Sequence, residues 1–139
     1  MARLLFLDPH LRELYADWPS KAKAAVGALR LVAGEYPDDA ALHALVGELS
    51  SKSGESTAMW ADHRIKPCTV AVYEMRHPLV GSLTVTQQTL SYGHGPVVVL
   101  ATAESDSPAR AALTLLAQVT AVPGFPAELA RPGSRVDQD

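Results

Sequence analysis

The side chains with the widest chemical range in this sequence are His63, Cys68, His77 and His94, with Glu74 and Glu104 nearby in the chain. Imidazole and thiolate groups are the ligands a transition metal takes. The spacings of these four match no recognised metal-ligand pattern, so no metal site is expected. Glu74 and Glu104 do not read as a paired acid and base. The chain has no glycine-rich phosphate loop, no nucleophile elbow and no paired Cys/His signature. Ser107-Pro108 has the sequence of a helix cap, not that of a nucleophile. The chain is therefore not expected to be an enzyme, and its function should lie in binding.

Composition narrows what it binds. With 139 residues the chain suffices for one domain and one modest core. Apolar residues make up 47% and charged residues 19%, an ordinary globular balance, and with aromatics at 6% the core must be built mostly of Leu, Val and Ala. The net charge is -3 and the isoelectric point about 5.9. Acids and bases are interspersed without a run of Lys or Arg, which argues against direct contact with nucleic acid. No apolar run approaches the roughly 18 residues that cross a bilayer. The start of the chain lacks the features of a signal peptide. Cys68 is the single cysteine, which excludes an intrachain disulfide and fits a reducing cytoplasm.

The elements that must position any site follow from periodicity. Leu4 to Leu7 is an apolar patch assigned to no helix. Asp8-Pro9 reads as a cap and first helical residue, opening a short helix over 9–15 with Leu11, Leu14 and Tyr15 on one face. Trp18-Pro19 breaks it and starts a second helix over 19–35. Ala22, Ala25, Val26, Leu29 and Ala33 form its apolar stripe, and Lys21, Lys23 and Arg30 are expected to face water. Tyr36-Pro37-Asp38-Asp39 is a stop followed by a cap. Leu42, Leu45, Val46 and Leu49 then define a third helix over 39–51. Ser53 caps a fourth, which is expected to carry Met59, Trp60 and His63 inward and to end before Pro67.

Beyond Pro67 the period changes from 3.6 to 2. Residues 69–77 are rich in β-branched and aromatic types, residues 78–81 turn the chain, and Leu83 and Val85 alternate with Ser82, Thr84 and Thr86. A turn cluster over 92–96 leads into Val97-Val98-Val99-Leu100-Ala101-Thr102-Ala103, the most apolar and most β-branched run in the chain. It has no polar face and so reads as a central strand, covered on both sides and paired on both edges. On that reading Leu100→Asp would abolish soluble expression. Ser107-Pro108 caps a last helix with Ala112, Leu115, Leu116 and Val119 inward. Residues 1–122 read as the domain and 123–139 as a disordered tail. The predicted fold is α+β: four N-terminal helices, a three-strand antiparallel meander and one C-terminal helix. A meander places its third strand at an edge, whereas the sequence of this one asks for neighbours on both flanks.

Four stretches resemble the ligand-binding domain of the MmyB-like transcription regulators. They are Leu4-Leu5-Phe6-Leu7-Asp8-Pro9 with Arg12-Glu13-Leu14-Tyr15-Ala16-Asp17-Trp18; Tyr36-Pro37-Asp38-Asp39 with Leu45-Val46-Gly47-Glu48-Leu49-Ser50; Trp60-Ala61-Asp62-His63; and Arg76-His77-Pro78-Leu79-Val80-Gly81 with Leu83, Thr84, Thr89 and Leu90. The resemblance implies a PAS-like domain that binds a fatty-acid-like molecule, controlled together with a helix-turn-helix domain of the Cro/repressor type. It also implies that the last strand is central in the sheet. The chain departs from the family pattern in three ways. It begins almost on the first of these stretches, which suggests a truncated or split regulator lacking its DNA-reading domain. Gly54 stands where the family often has proline, and Gln87-Gln88 where an acid or an aromatic is common.

A lipid-sized site is a mostly apolar cleft with one or two polar anchors. On the strength of the resemblance its candidates are Met59, Trp60, Leu83, Val85, Val98 and Leu100, with Trp60 foremost, and His63 or His77 as anchor for a carboxylate head group. Each also has a purely structural role open to it: the apolar six as core, His63 at a helix C-terminus, and His77 in shaping the hairpin. The expected ligand is small and apolar, with no other cofactor and no membrane. DNA would be reached only through a helix-turn-helix domain. The competing expectation is a ligand-free dimerisation or interaction module, or a remnant, that pairs through its exposed sheet edge.

Overall fold

The protein is described from a computed structural model, which covers residues 1–63, 68–90 and 98–119. Five helices precede the sheet and one follows it: α1 (Ala2–Leu7), α2 (Pro9–Leu14), α3 (Trp18–Glu35), α4 (Ala40–Lys52), α5 (Gly54–Ala61), β1 (Val70–His77), β2 (Gly81–Leu90), β3 (Val98–Thr102) and α6 (Pro108–Val119). The α+β class and the three-strand antiparallel meander agree with the sequence. The helix count before the sheet is five, not four, because the Leu4–Leu7 patch is itself helical. The predicted tail over 123–139 and the turn cluster over 92–96 lie outside the described residues.

The helix starts follow their caps. The Asp8 carboxylate accepts from the His10 N–H at 2.8 Å, Asp17 from Ser20, Asp39 from both Ala41 and Leu42, Ser53 from Ser56 and Ser107 from Arg110. Each satisfies an N–H that the first helical turn would leave unpaired. Pro9 and Pro19 occupy first-turn positions, where a missing N–H costs nothing.

The sheet order is β1-β2-β3. Tyr73 pairs with Val85 and Met75 with Leu83 across the first ladder. Gln87 pairs with Ala101 and Thr89 with Val99 across the second. Side chains alternate across a strand, so this register sends Tyr73, Met75, Leu83, Val85, Gln87 and Val99 to the helix-covered face. Val70, Val72, Leu90, Val98 and Leu100 project from the other. Gly81 makes the β1–β2 turn at φ 76°, in the left-handed region that favours glycine.

One edge of the sheet is closed and the other is open. Tyr15 bridges Met75 of β1, and the Ala16 N–H donates to the Glu74 carbonyl at 2.9 Å. Thus the link between α2 and α3 covers the β1 edge. Beside β3 the described residues place no further strand, and all five of its residues are exposed, Val98 to 49%, Val99 to 45% and Leu100 to 41%. This corrects the central placement of β3. Its composition reports a strand suited to burial, but among the described residues only β2 pairs with it. Leu100 therefore carries no core, and Leu100→Asp is compatible with this fold.

The core lies between the helices and the inner sheet face. Leu5, Tyr15, Trp18 and Ala22 meet Tyr73, Leu83, Val85 and Ala109 there. Trp18 is its hub. The indole N–H donates to the Leu5 carbonyl at 2.9 Å, and Phe6 meets the ring edge-on at 5.7 Å. The Arg12 guanidinium lies 4.0 Å from the Trp18 ring centroid and forks onto both Glu55 oxygens at 2.6 and 2.7 Å. Arg3 pairs likewise with Glu48. These contacts tie α1 to α4 and α2 to α5.

Trp18→Phe removes the indole donor and leaves the buried Leu5 carbonyl unpaired. A loss of roughly 1–3 kcal/mol is expected, read as a lower urea midpoint with an unchanged slope.

Candidate ligand-binding cleft

Helix α3 begins in the core at Trp18 and then runs over the sheet with small side chains facing it. Ala24, Ala25 and Ala28 point toward the strands, followed by Leu29 and Val32. Alanine does not reach far enough to fill the gap between a helix and a sheet, so a cleft of about 220 Å³ remains. Its opposite wall is Ala71 and Tyr73 of β1, Gln87 and Thr89 of β2, and Val99 of β3. Met1 and Ala2 close one side, and Cys68 stands at the start of β1. The lining is predominantly apolar. The volume lies below the usual range for ligand sites, which begins at roughly 300 Å³, and the cleft is open to solvent.

A cation occupies the floor. Lys21 is only 9% exposed. Its Nζ donates to Gln87 Oε1 and lies 4.6 Å from the Tyr73 ring centroid and 5.3 Å from that of Tyr15. The two tyrosines meet edge-on at 5.5 Å, and the Gln87 amide donates to the Tyr15 hydroxyl at 3.2 Å. Ring faces attract a cation, and Gln87 supplies an acceptor. Among the described residues no carboxylate comes within ion-pair distance of Lys21. Burial pushes the Lys21 pKa down, opposed in part by Cys68. Burial likewise pushes the Tyr73 pKa up, with Cys68, Tyr15 and Asp17 adding to the effect.

The residues singled out from sequence lie elsewhere. Leu83 and Val85 belong to the core beneath α6, at 4% and 1% exposure. Met59 is half-buried against that core. Trp60 is half-buried on α5, where Arg30 lies 5.6 Å from its ring and donates to the carbonyls of Trp60 and, at 2.7 Å, of Asp62. His63 is exposed beyond the end of α5, so the helix does not carry it inward. His77 accepts the Leu79 N–H on Nδ1 at 3.2 Å, within the hairpin, and lines a separate groove with His10 and Glu13. Val98 and Leu100 are on the sheet face away from α3. These eight residues are not brought together, and none of them lines the cleft. His94 lies outside the described residues, among which no cluster of three His, Cys, Asp or Glu side chains could hold a metal.

Sequence reasoning missed Lys21 and Gln87. It sent Lys21 and Arg30 to solvent, but Lys21 is buried and Arg30 is half-buried. The signal was present in the spacing. Lys21, Ala25, Ala28, Leu29 and Val32 follow i, i+4, i+7, i+8, i+11, one helical face. Reading the lysine as a flank of the apolar stripe, not a member of this second one, concealed it. Gln87 sits in phase with Leu83 and Val85 on β2 and therefore had to face inward.

No helix among the described residues is long and apolar enough to cross a membrane. Nothing among curated proteins or solved structures matches the chain. Residues 1–116 match the family model of the MmyB-like transcription regulator ligand binding domain. That match covers most of the chain and takes in every element that lines the cleft. The chain belongs to the MmyB-like transcription regulator ligand binding domain family.

Proposed function

We propose that this chain is the sensing domain of a helix-turn-helix transcription regulator and that it takes up a fatty-acid-like molecule between α3 and the sheet. The observation that carries this reading is the cleft itself, an apolar slot along an alanine-faced helix, open to solvent. An acyl chain suits such a slot because it gains from leaving water and asks for no hydrogen bonds. The role is one of binding, not catalysis, and it is exercised in the cytoplasm. The ligand favours one packing of α3 on the sheet and so shifts the population of conformations. The DNA contact belongs to the helix-turn-helix domain.

Protein purified from cells and sprayed under native conditions is expected to carry an acyl-chain mass. Ala28→Phe projects a ring into the cleft from an exposed position on α3, and is expected to abolish that mass while leaving the thermal midpoint within a few degrees of the parent. A wild-type protein that is free of such a mass and binds no added fatty acid would overturn the reading.

The exposed β3 edge favours a second, compatible role, pairing with another copy through this strand. Val98, Leu100 and Thr102 would continue the apolar outer face across an antiparallel junction. Leu100→Asp is then expected to yield a folded monomer from a parental dimer, as measured by light scattering on a sizing column. A monomeric parent would dispose of this role and leave the ligand reading intact.

A further inference from the structure

We propose that Lys21 is the anchor for the ligand's head group and that this head group is a carboxylate. The inference rests on the acyl-ligand reading above and goes beyond it, because it names the atom that recognises the acid and replaces the histidines as its anchor.

The argument is one of unsatisfied charge. An ammonium group has three donors, and among the described residues Lys21 places one of them on Gln87 and none on an acid. The nearest acid in its own helix turn, Asp17, accepts from the Ser20 N–H at 3.1 Å to cap α3. The rings of Tyr15 and Tyr73 and the Gln87 amide ease the burial of the cation without neutralising it. A buried cation without a counter-charge is costly to the folded protein. It becomes favourable when an anion arrives with the ligand, because a charge-assisted hydrogen bond to a buried group is stronger than one in open water. Among the described residues that line the cleft, Lys21 is the one cationic side chain, with no arginine and no second lysine. A single carboxylate matches that side-chain charge. From Lys21 the alanines at 24, 25 and 28 lead away from the head group, and that is the path for the acyl chain.

The test uses the full chain with decanoate and methyl decanoate as probes, read by calorimetric titration at neutral pH. The parent is expected to bind decanoate at least about 10-fold more tightly than the ester, the loss anticipated when a buried charged group goes unpaired. Lys21→Met keeps the length of the side chain and removes the charge. It should erase the preference, lower decanoate affinity by about 10-fold or more, and leave ester affinity within a factor of two to three. Equal binding of acid and ester by the parent, or undiminished decanoate binding by Lys21→Met, would overturn the anchor while sparing the acyl-ligand reading. A parent that binds neither probe would overturn both. The acid-against-ester comparison uses unmodified protein, so the outcome stands even if the variant fails to fold.

Discussion

A charge stands at the junction of the long helix and the sheet. Lys21 reaches from α3 to Gln87 on β2 and lies over Tyr73 on β1, while Gln87 continues to the Tyr15 hydroxyl. A leucine at position 21 would let the helix and sheet meet through apolar contact alone. With lysine there, the junction is polar, and the alanines beyond it leave the space open. The same residue thus sets the position of the helix and the character of the floor of the cleft. Its depressed pKa has a definite consequence. The unfolded chain binds this proton more readily than the folded one does, so Lys21 costs the folded state stability while it stays charged. That cost fades as pH rises from the lowered value toward the ordinary 10.5. Lys21 nevertheless forms the polar bridge between α3 and the sheet.

The treatment of the two sheet edges is unequal. The β1 edge is covered by Tyr15 and Ala16, which lend it a bridge and a hydrogen bond where α2 hands over to α3. That handover also places Tyr15 next to Lys21 and Trp18 at the core, so one short connection closes an edge, fixes the start of α3 and contributes to the floor of the cleft. The β3 edge receives nothing comparable among the described residues. Its valines and leucine stand in solvent on one face and border the cleft, through Val99, on the other. Natural sheets blunt their open edges with charge, proline or a bulge, and Val98 to Thr102 has none of these. A partner strand at this edge would also wall the cleft beside Val99, so occupancy of the edge and occupancy of the cleft are physically linked.

Much of the architecture could be read from the chain because it rests on local chemistry. Asp8-Pro9, Asp39, Ser53 and Ser107-Pro108 each mark a helix start that the coordinates place there, since capping depends on a few adjacent atoms. The change from a period of 3.6 to one of 2 after Pro67 marked the sheet. Legibility stopped where the answer depends on residues far apart in sequence. Whether β3 is central depends on what lies beside it, and its own composition reports only its suitability for burial. Lys21 was read as a solvent-facing charge because most lysines are, and its burial depends on Tyr15, Tyr73 and Gln87, which come from two other parts of the chain. The pattern of a longer fourth helix carries His63 inward, whereas α5 ends at Ala61 and leaves His63 exposed.

That early end of α5 has its own cause, and it returns to α3. Arg30, two turns and more beyond Lys21 on the same helix, donates to the Trp60 and Asp62 carbonyls, groups the end of α5 leaves without helical partners. The guanidinium also lies by the Trp60 ring. One helix therefore carries two cations with different tasks, one facing the cleft and one holding the end of a neighbouring helix. A rigid helix moves both together. Helix α3 thus reaches the cleft through Lys21 and the end of α5 through Arg30, so a single continuous element joins the two places.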